Sequence, residues 1–145
     1  MPITTKHGSI FDSRAQVLVC PVNCVGVMGK GLALEFKRRF PEDAHRYGEL
    51  CRGNALKPGS VACWDGRVAM FATKDHWRNP SKIEWIDTGL GIINELIEVL
   101  ELPSIAIPQL GCGCGGLDWA DVEPLYEKHL GGLDCDVEVW IYEGH

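Results

Sequence analysis

No run of apolar residues in this chain approaches the ~18 needed to cross a bilayer, and no apolar stretch near the start has the form of a secretory signal. These absences exclude a membrane-spanning helix and point to a cytoplasmic protein with no membrane partner. Positive charge is in short supply: 14 Lys and Arg stand against 20 Asp and Glu, for a formal net charge of −6. That balance argues against broad nonspecific binding to duplex nucleic acid, which draws on many cationic contacts to phosphate. It leaves room for a single nucleotide held in a local cleft. Cysteine is not scarce, but its seven copies are an odd number and sit mostly in apolar runs or glycine loops. That usage reads as reduced thiols rather than a disulfide framework. Linkers, internal repeats and low-complexity segments are all missing, so 145 residues are expected to form one domain, residues 1–145.

What is present is a strand–helix rhythm, the pattern of an α/β fold. Strands are expected at 3–6, 17–22, 61–64, 68–72, 104–108 and 137–142, and helices at 31–40, 42–51, 81–100 and 119–130. Asp65-Gly66 between the two middle strands is a hairpin signal. Pro41 separates the first two helices, since it ends one and opens the next. Ser81 and Glu84 form a Ser-x-x-Glu capping box that is expected to start the third helix. The apolar stripe from Ile83 to Leu100 then reads as core.

Two glycine loops interrupt this rhythm. The second reads Gly111-Cys112-Gly113-Cys114-Gly115-Gly116-Leu117, directly after the apolar run 105–110 and just before a helix start at Trp119. Glycine lacks Cβ and tolerates positive φ, so successive N–H groups can line one concavity and cradle an anion. A following helix N-terminus adds unpaired N–H groups and a favourable dipole. The first loop, Asn23 to Ala33, follows the apolar run 17–22 and also opens a helix. The second loop is not G-x-G-x-x-G and no Gly-Lys-Ser/Thr follows it, so it meets neither the usual dinucleotide nor the P-loop fingerprint. Two such units in a small domain suggest one ligand held between two loops at the C-terminal ends of strands.

Chemistry is expected in the connection 71–80, which packs Lys74, Asp75, His76, Trp77 and Arg78 into a few loop positions. Lys74 is the first polar group past the strand, suited to act as an amine nucleophile or as a fixed cation. His76 beside Asp75 reads as a satisfied loop histidine. Cys112 and Cys114, with Cys20 and Cys24, match no common zinc spacing, and no metal is expected. Cys112 lacks an identifiable base partner, so it is not taken as a nucleophile.

Together these residues resemble the macrodomain family over nearly the whole chain. The resemblance implies a three-layer α/β/α fold with a central mixed sheet, binding ADP-ribose without a cofactor. The first loop resembles the family's distal-ribose loop and contributes Val22, Met28, Gly29, Lys30, Gly31, Leu32 and Ala33. The second resembles the diphosphate loop and contributes Pro108, Leu110, Gly111, Cys112, Gly113, Cys114, Gly115, Gly116 and Leu117. Thr73-Lys74, followed by His76-Trp77-Arg78 and Pro80-Ser81, is most similar to the branch that holds the DarG-like antitoxins and the human terminal ADP-ribose protein glycohydrolase. In that branch the lysine is catalytic, which implies Lys74 as the catalytic residue, with Asn23 beside the scissile distal ribose. The resemblance further implies an ADP-ribosyl glycohydrolase that removes ADP-ribose from DNA bases, with ADP-ribosylated DNA (single-stranded or with a flipped base) as substrate and a DarT-like toxin as partner.

Cleavage at C1″ passes through an oxocarbenium-like state. The amine of Lys74 would attack C1″ to form a Schiff-base-type intermediate, or stay charged and stabilise the leaving group; both remain open. Two departures stand out. Gly115 occupies the place of an aspartate in the human relative, so a lysine–aspartate mechanism does not carry over. Ser9, before Ile10, occupies the place of an aspartate that contacts adenine in many macrodomains. Tyr142 aligns with an aromatic residue that stacks on adenine. Release of ADP-ribose from protein esters, deacylation of O-acetyl-ADP-ribose and a non-catalytic reader role are the alternatives.

Overall fold

The computed structural model describes residues 3–142. Six strands form one sheet: β1 (Thr4–His7), β2 (Val17–Asn23), β3 (Val61–Cys63), β4 (Val68–Lys74), β5 (Ser104–Pro108) and β6 (Asp136–Ile141). Four helices connect them: α1 (Gly31–Arg39), α2 (Pro41–Arg52), α3 (Ile83–Leu100) and α4 (Trp119–Leu130). The strand order is β1-β6-β5-β2-β4-β3. Every adjacent pair is parallel except β3–β4, which is antiparallel. The sheet is therefore mixed, and the Asp65-Gly66 turn joins its antiparallel pair, with Gly66 at φ +69°.

The central strands read as unbroken apolar runs because both of their faces are covered. One face of β2, β4, β5 and β6 presents Val19, Phe71, Ile107 and Val139 to α3 and α4, where Ile86, Leu90 and Tyr126 meet them. The opposite face presents Cys20, Val22, Met70 and Ala72 to Phe36 of α1 and Tyr47 of α2. Alternation along each strand thus builds two cores and three layers. β1 is exposed along its length, as suits an edge strand. Among the described residues no helix is long and apolar enough to cross a membrane.

The expected capping box does not form. α3 starts at Ile83 with Lys82 as N-cap and no side-chain cap. Ser81 is drawn away because its N–H donates to the Gly115 carbonyl at 2.9 Å. The tertiary contact wins over the local one, and the helix begins one residue later than a Ser81 cap predicts.

Gly89 on α3 marks the closest helix–sheet approach. A Cβ there would overlap the Phe71 ring, and Phe71 is fully buried with no room to turn. Alanine would gain ~1 kcal/mol of helix propensity but overpack a filled core at a cost of about 1–3 kcal/mol. Gly89→Ala should therefore destabilise the protein, by up to about 2 kcal/mol net, read as a lower urea midpoint with an unchanged slope.

Candidate functional site

Parallel pairing brings the C-terminal ends of β1, β2, β4, β5 and β6 to one edge of the sheet, and every expected site residue lies at or just past those ends. Ser9 and Ile10 follow β1. Val22 and Asn23 end β2, and residues 28–33 lead from it into α1. Thr73 and Lys74 end β4. Pro108 ends β5, and residues 110–117 connect it to α4. Tyr142 lies one residue beyond β6 rather than within it and is 71% exposed. The Gly8 N–H donates to the Ile141 carbonyl at 2.9 Å, which ties the Ser9 and Tyr142 ends together.

The two residues expected to carry catalysis are neighbours on adjacent strands. Across the β2–β4 ladder Asn23 pairs with Lys74, after a register shift that follows the Val22–Ala72 pair. The extra residue on β4 is Thr73, which is buried. A bulge of this kind re-aims the residue after it, here Lys74. The Lys74 ammonium donates to the Trp77 carbonyl at 3.2 Å, so the loop that follows holds the amine.

Asn23 acts chiefly on its own loop. Its Oδ1 accepts the N–H groups of Val25 and Gly26 at 3.0 Å each and of Val27 at 3.3 Å. Its Nδ2 donates to the Val27 carbonyl at 2.9 Å. An asparagine side chain mimicking a backbone turn is a strong local organiser. From α2, the buried Tyr47 hydroxyl lies 2.7 Å from the Asn23 carbonyl and 3.0 Å from its Oδ1, a donor shared between the two. Burial pushes the Tyr47 phenol far up, so it stays a protonated donor.

The second loop has a matching anchor. The Tyr126 hydroxyl of α4 donates to the Pro108 carbonyl at 2.5 Å and accepts the Leu110 N–H at 3.0 Å. Within the loop, Leu117 N–H returns to the Gly111 carbonyl at 2.9 Å, with Gly111 at φ +75° and Gly116 at φ +79°. Asp118 caps α4 by accepting the Ala120 N–H at 3.0 Å. Gly115 is confined: a Cβ there would overlap the Gly111 carbonyl and lie 2.5 Å from the Ser81 hydroxyl. Ser81 is 5% exposed and its hydroxyl has no protein partner. An aspartate at 115 would not fit this loop, which gives the sequence departure a steric cause.

The segment carrying Lys74 bridges the two loops. At one end the Cys24 N–H donates to the Asp75 carbonyl at 3.2 Å; at the other lies the Ser81–Gly115 bond. Pro108, Leu110, Gly111 and Gly115 are buried beneath the second loop, while Gly113, Cys114 and Gly116 are exposed on it. Met28 turns its side chain into the core against α1 and α2, leaving its main chain to face a ligand. Lys30 and Gly31 stand exposed at the start of α1, with Leu32 and Ala33 half-buried behind them. Ser9 accepts the Phe11 N–H at 3.2 Å as cap of the short 3-10 turn at Ile10–Asp12.

The thiols are poor nucleophiles. Burial, aided by Cys51 and Asp75, pushes Cys24 up to about 11. Burial and Asp118 do the same for Cys112, also to about 11. Both stay protonated at neutral pH. All seven cysteines are free. Among the described residues no three His, Cys, Asp or Glu side chains converge to hold a metal.

A three-layer α/β/α domain with two glycine loops at one sheet edge and a lysine between them is the architecture that the macrodomain resemblance implies. Residues 19–126 match the Macro domain family, and the chain belongs to it. A relative from Mycobacterium tuberculosis named DNA ADP-ribosyl glycohydrolase is 44% identical over 97% of this chain and 42% of its own length. A Thermosipho africanus relative named as a DNA ADP-ribosyl transferase–DNA ADP-ribosyl glycohydrolase fusion protein is 35% identical over 96% of this chain and 42% of its own. The solved macrodomain of Thermus aquaticus DarG superposes with a TM-score of 0.87 at 38% identity, covering 98% of each chain. Thermosipho africanus DarTG in complex with ADP-ribose superposes with a TM-score of 0.85 at 34% identity, covering 97% of this chain and 42% of that one. The chain thus spans less than half the length of these curated relatives.

Tyr47 and Tyr126 were not singled out from the sequence. Each reads as one apolar-face residue of an amphipathic helix, and only the fold reveals which carbonyl its hydroxyl reaches. Tyr47→Phe leaves the Asn23 carbonyl short of a donor. It should cost about 1–3 kcal/mol of stability, as measured by denaturation. Gly115→Ala should weaken ADP-ribose binding by calorimetry at least about tenfold, ~1.4 kcal/mol, because the second loop must open to admit the methyl group.

Proposed function

We propose that this chain is an ADP-ribosyl glycohydrolase that removes ADP-ribose from modified DNA bases, with Lys74 as its catalytic residue. The observation that carries the reading is Lys74, paired with Asn23 along the sheet and on a segment hydrogen-bonded to both glycine loops. The names of the relatives supply the substrate class. In this reading the diphosphate lies on the N–H groups of the second loop, as an anion at a glycine turn and helix N-terminus should. Ser9, Ile10 and Tyr142 border the adenine, and the distal ribose rests on the first loop with C1″ toward Lys74.

Hydrolysis breaks the bond from C1″ to the base, water supplies the new oxygen on C1″, and the departing base takes up a proton. Two roles suit the amine: attack on C1″ with a Schiff-base-type intermediate, or electrostatic stabilisation of the departing base. Borohydride added during turnover separates them, since only the first leaves a covalent adduct on Lys74. Asn23 enters as a positioning residue, through the loop it shapes. Gly115 supplies no carboxylate, so the mechanism relies on the lysine without an aspartate from this loop.

The DNA reading has local support in charge. An open depression of about 380 Å³ adjoins Gly26 and Met28 of the first loop and is lined by Lys37 and Arg52, and by His45, whose ring pairs with Glu49 at 3.1 Å. An anionic strand beside the distal ribose would meet cations there, although the whole chain is acidic. A cytoplasmic site of action suits the seven free thiols, and a DarT-like toxin that modifies the same bases is the matching partner.

The test is release of ADP-ribose from an oligonucleotide bearing one ADP-ribosylated thymidine. Lys74→Ala should lose at least about 100-fold in turnover while ADP-ribose affinity stays within about tenfold, ~1.4 kcal/mol. Faster release from protein esters or O-acetyl-ADP-ribose than from DNA would move the substrate. Binding without turnover of any of them would make the protein a reader.

A further inference from the structure

We propose that Trp77 is a stacking platform for the nucleobase that carries the ADP-ribose, a role that rests on the DNA reading above. The large hydrophobic side chains exposed among the described residues are few. Val25 at 45%, Val27 at 43% and Trp77 at 44% fall on the two loops that carry Asn23 and Lys74. The Cys24–Asp75 backbone bond makes those loops neighbours. Exposed apolar surface gathered around a reactive amine marks a place where something apolar binds.

The indole is held in place rather than loose. The Asp75 carboxylate accepts the His76 N–H at 2.7 Å and the Asn79 side-chain amide at 3.2 Å. His76 Nδ1 accepts the Arg78 N–H at 3.1 Å, and the Asn79 N–H closes the turn on the His76 carbonyl at 3.0 Å. The His76 ring packs 5.3 Å from the indole at 31°, and the Arg78 guanidinium lies 4.6 Å from the ring centroid. Loop and neighbours thus fix the ring before any ligand arrives, which lowers the ordering cost of binding.

The link to catalysis is direct. Trp77 is the residue whose carbonyl accepts the Lys74 ammonium. On this proposal a base stacked on the indole sits on the residue whose main chain holds the amine. Every base has a π-face, so the platform tolerates any base, as aromatic stacking does in single-strand binding. Extruded bases are commonly read by stacking on aromatic side chains. The Arg78 guanidinium lies over one face of the indole, so an incoming base takes the place of this exposed side chain or stacks on the other face, with the displaced cation free to meet a flanking phosphate. The occupant is a nucleobase on a single or locally opened strand, since a paired base presents no free face.

Trp77→Ala should lower kcat/KM on the ADP-ribosylated oligonucleotide roughly tenfold or more, while Trp77→Phe, which keeps a ring, retains most of it. Calorimetric affinity for free ADP-ribose should stay within about twofold in both variants, because ADP-ribose does not reach the indole. In a Lys74→Ala background, the modified oligonucleotide should quench indole fluorescence, and the quench should vanish when Trp77→Phe is added. Equal losses for alanine and phenylalanine, or a matching loss of ADP-ribose affinity, would reduce Trp77 to a structural element of its loop. Full oligonucleotide turnover by Trp77→Ala would overturn the platform alone. No oligonucleotide turnover by the wild type would overturn the DNA reading and the platform with it.

Discussion

Parallel pairing through the middle of the sheet is the constraint on which the site depends. In an antiparallel sheet the loops after successive strands alternate between opposite edges. Here β2, β4, β5 and β6 run the same way, so the segments that follow them open at one edge. Parallel strands need long crossovers, and the helices that provide them bury both faces of the sheet. One choice of strand direction thus creates the two cores and gathers the residues of the site.

Convergence alone would leave the loops soft. Stiffness comes from buried hydroxyls that reach the chain where it leaves the sheet: Tyr47 at Asn23, and Tyr126 at Pro108 and Leu110. Each tyrosine belongs to a helix packed against its own core, one on either face. Core packing is thereby converted into loop geometry, since displacing either loop means losing a buried hydrogen bond. The Lys74–Ser81 segment is then strapped between the two loops by backbone bonds at both ends. The amine is positioned by the same network that shapes the ligand cradle, which suits a residue acting on an atom of that ligand.

The charge distribution divides the labour. The chain as a whole is acidic, which disfavours indiscriminate binding to nucleic acid. Cations are concentrated near the first glycine loop, and a stacked Trp–Arg pair stands beside the lysine. An enzyme that must find one modified base needs weak affinity for ordinary strands and strong affinity for the adduct. On the proposed reading, ADP-ribose supplies most of the binding and the strand supplies orientation.

Much of this was legible in the residues themselves. Strand and helix positions followed from periodicity, because apolar runs buried on both faces and amphipathic helices carry their burial in the order of their side chains. The glycine loops and Lys74 were legible because an anion cradle needs missing Cβ atoms and an amine needs a lysine. Local patterns failed where a distant contact outweighed them: Ser81 leaves its capping box for Gly115 of the second loop. The roles of Tyr47 and Tyr126, the Asn23–Lys74 pairing and the exposure of Trp77 are not written in any local pattern. They depend on which backbone atoms lie opposite a side chain in space, 24 residues away for Tyr47 and Asn23. The sequence by itself determined the elements, the two glycine loops and the place of Lys74 at a strand end. The tertiary structure alone decided their mutual positions, because register, strand direction and hydroxyl reach are properties of the packed sheet and helices.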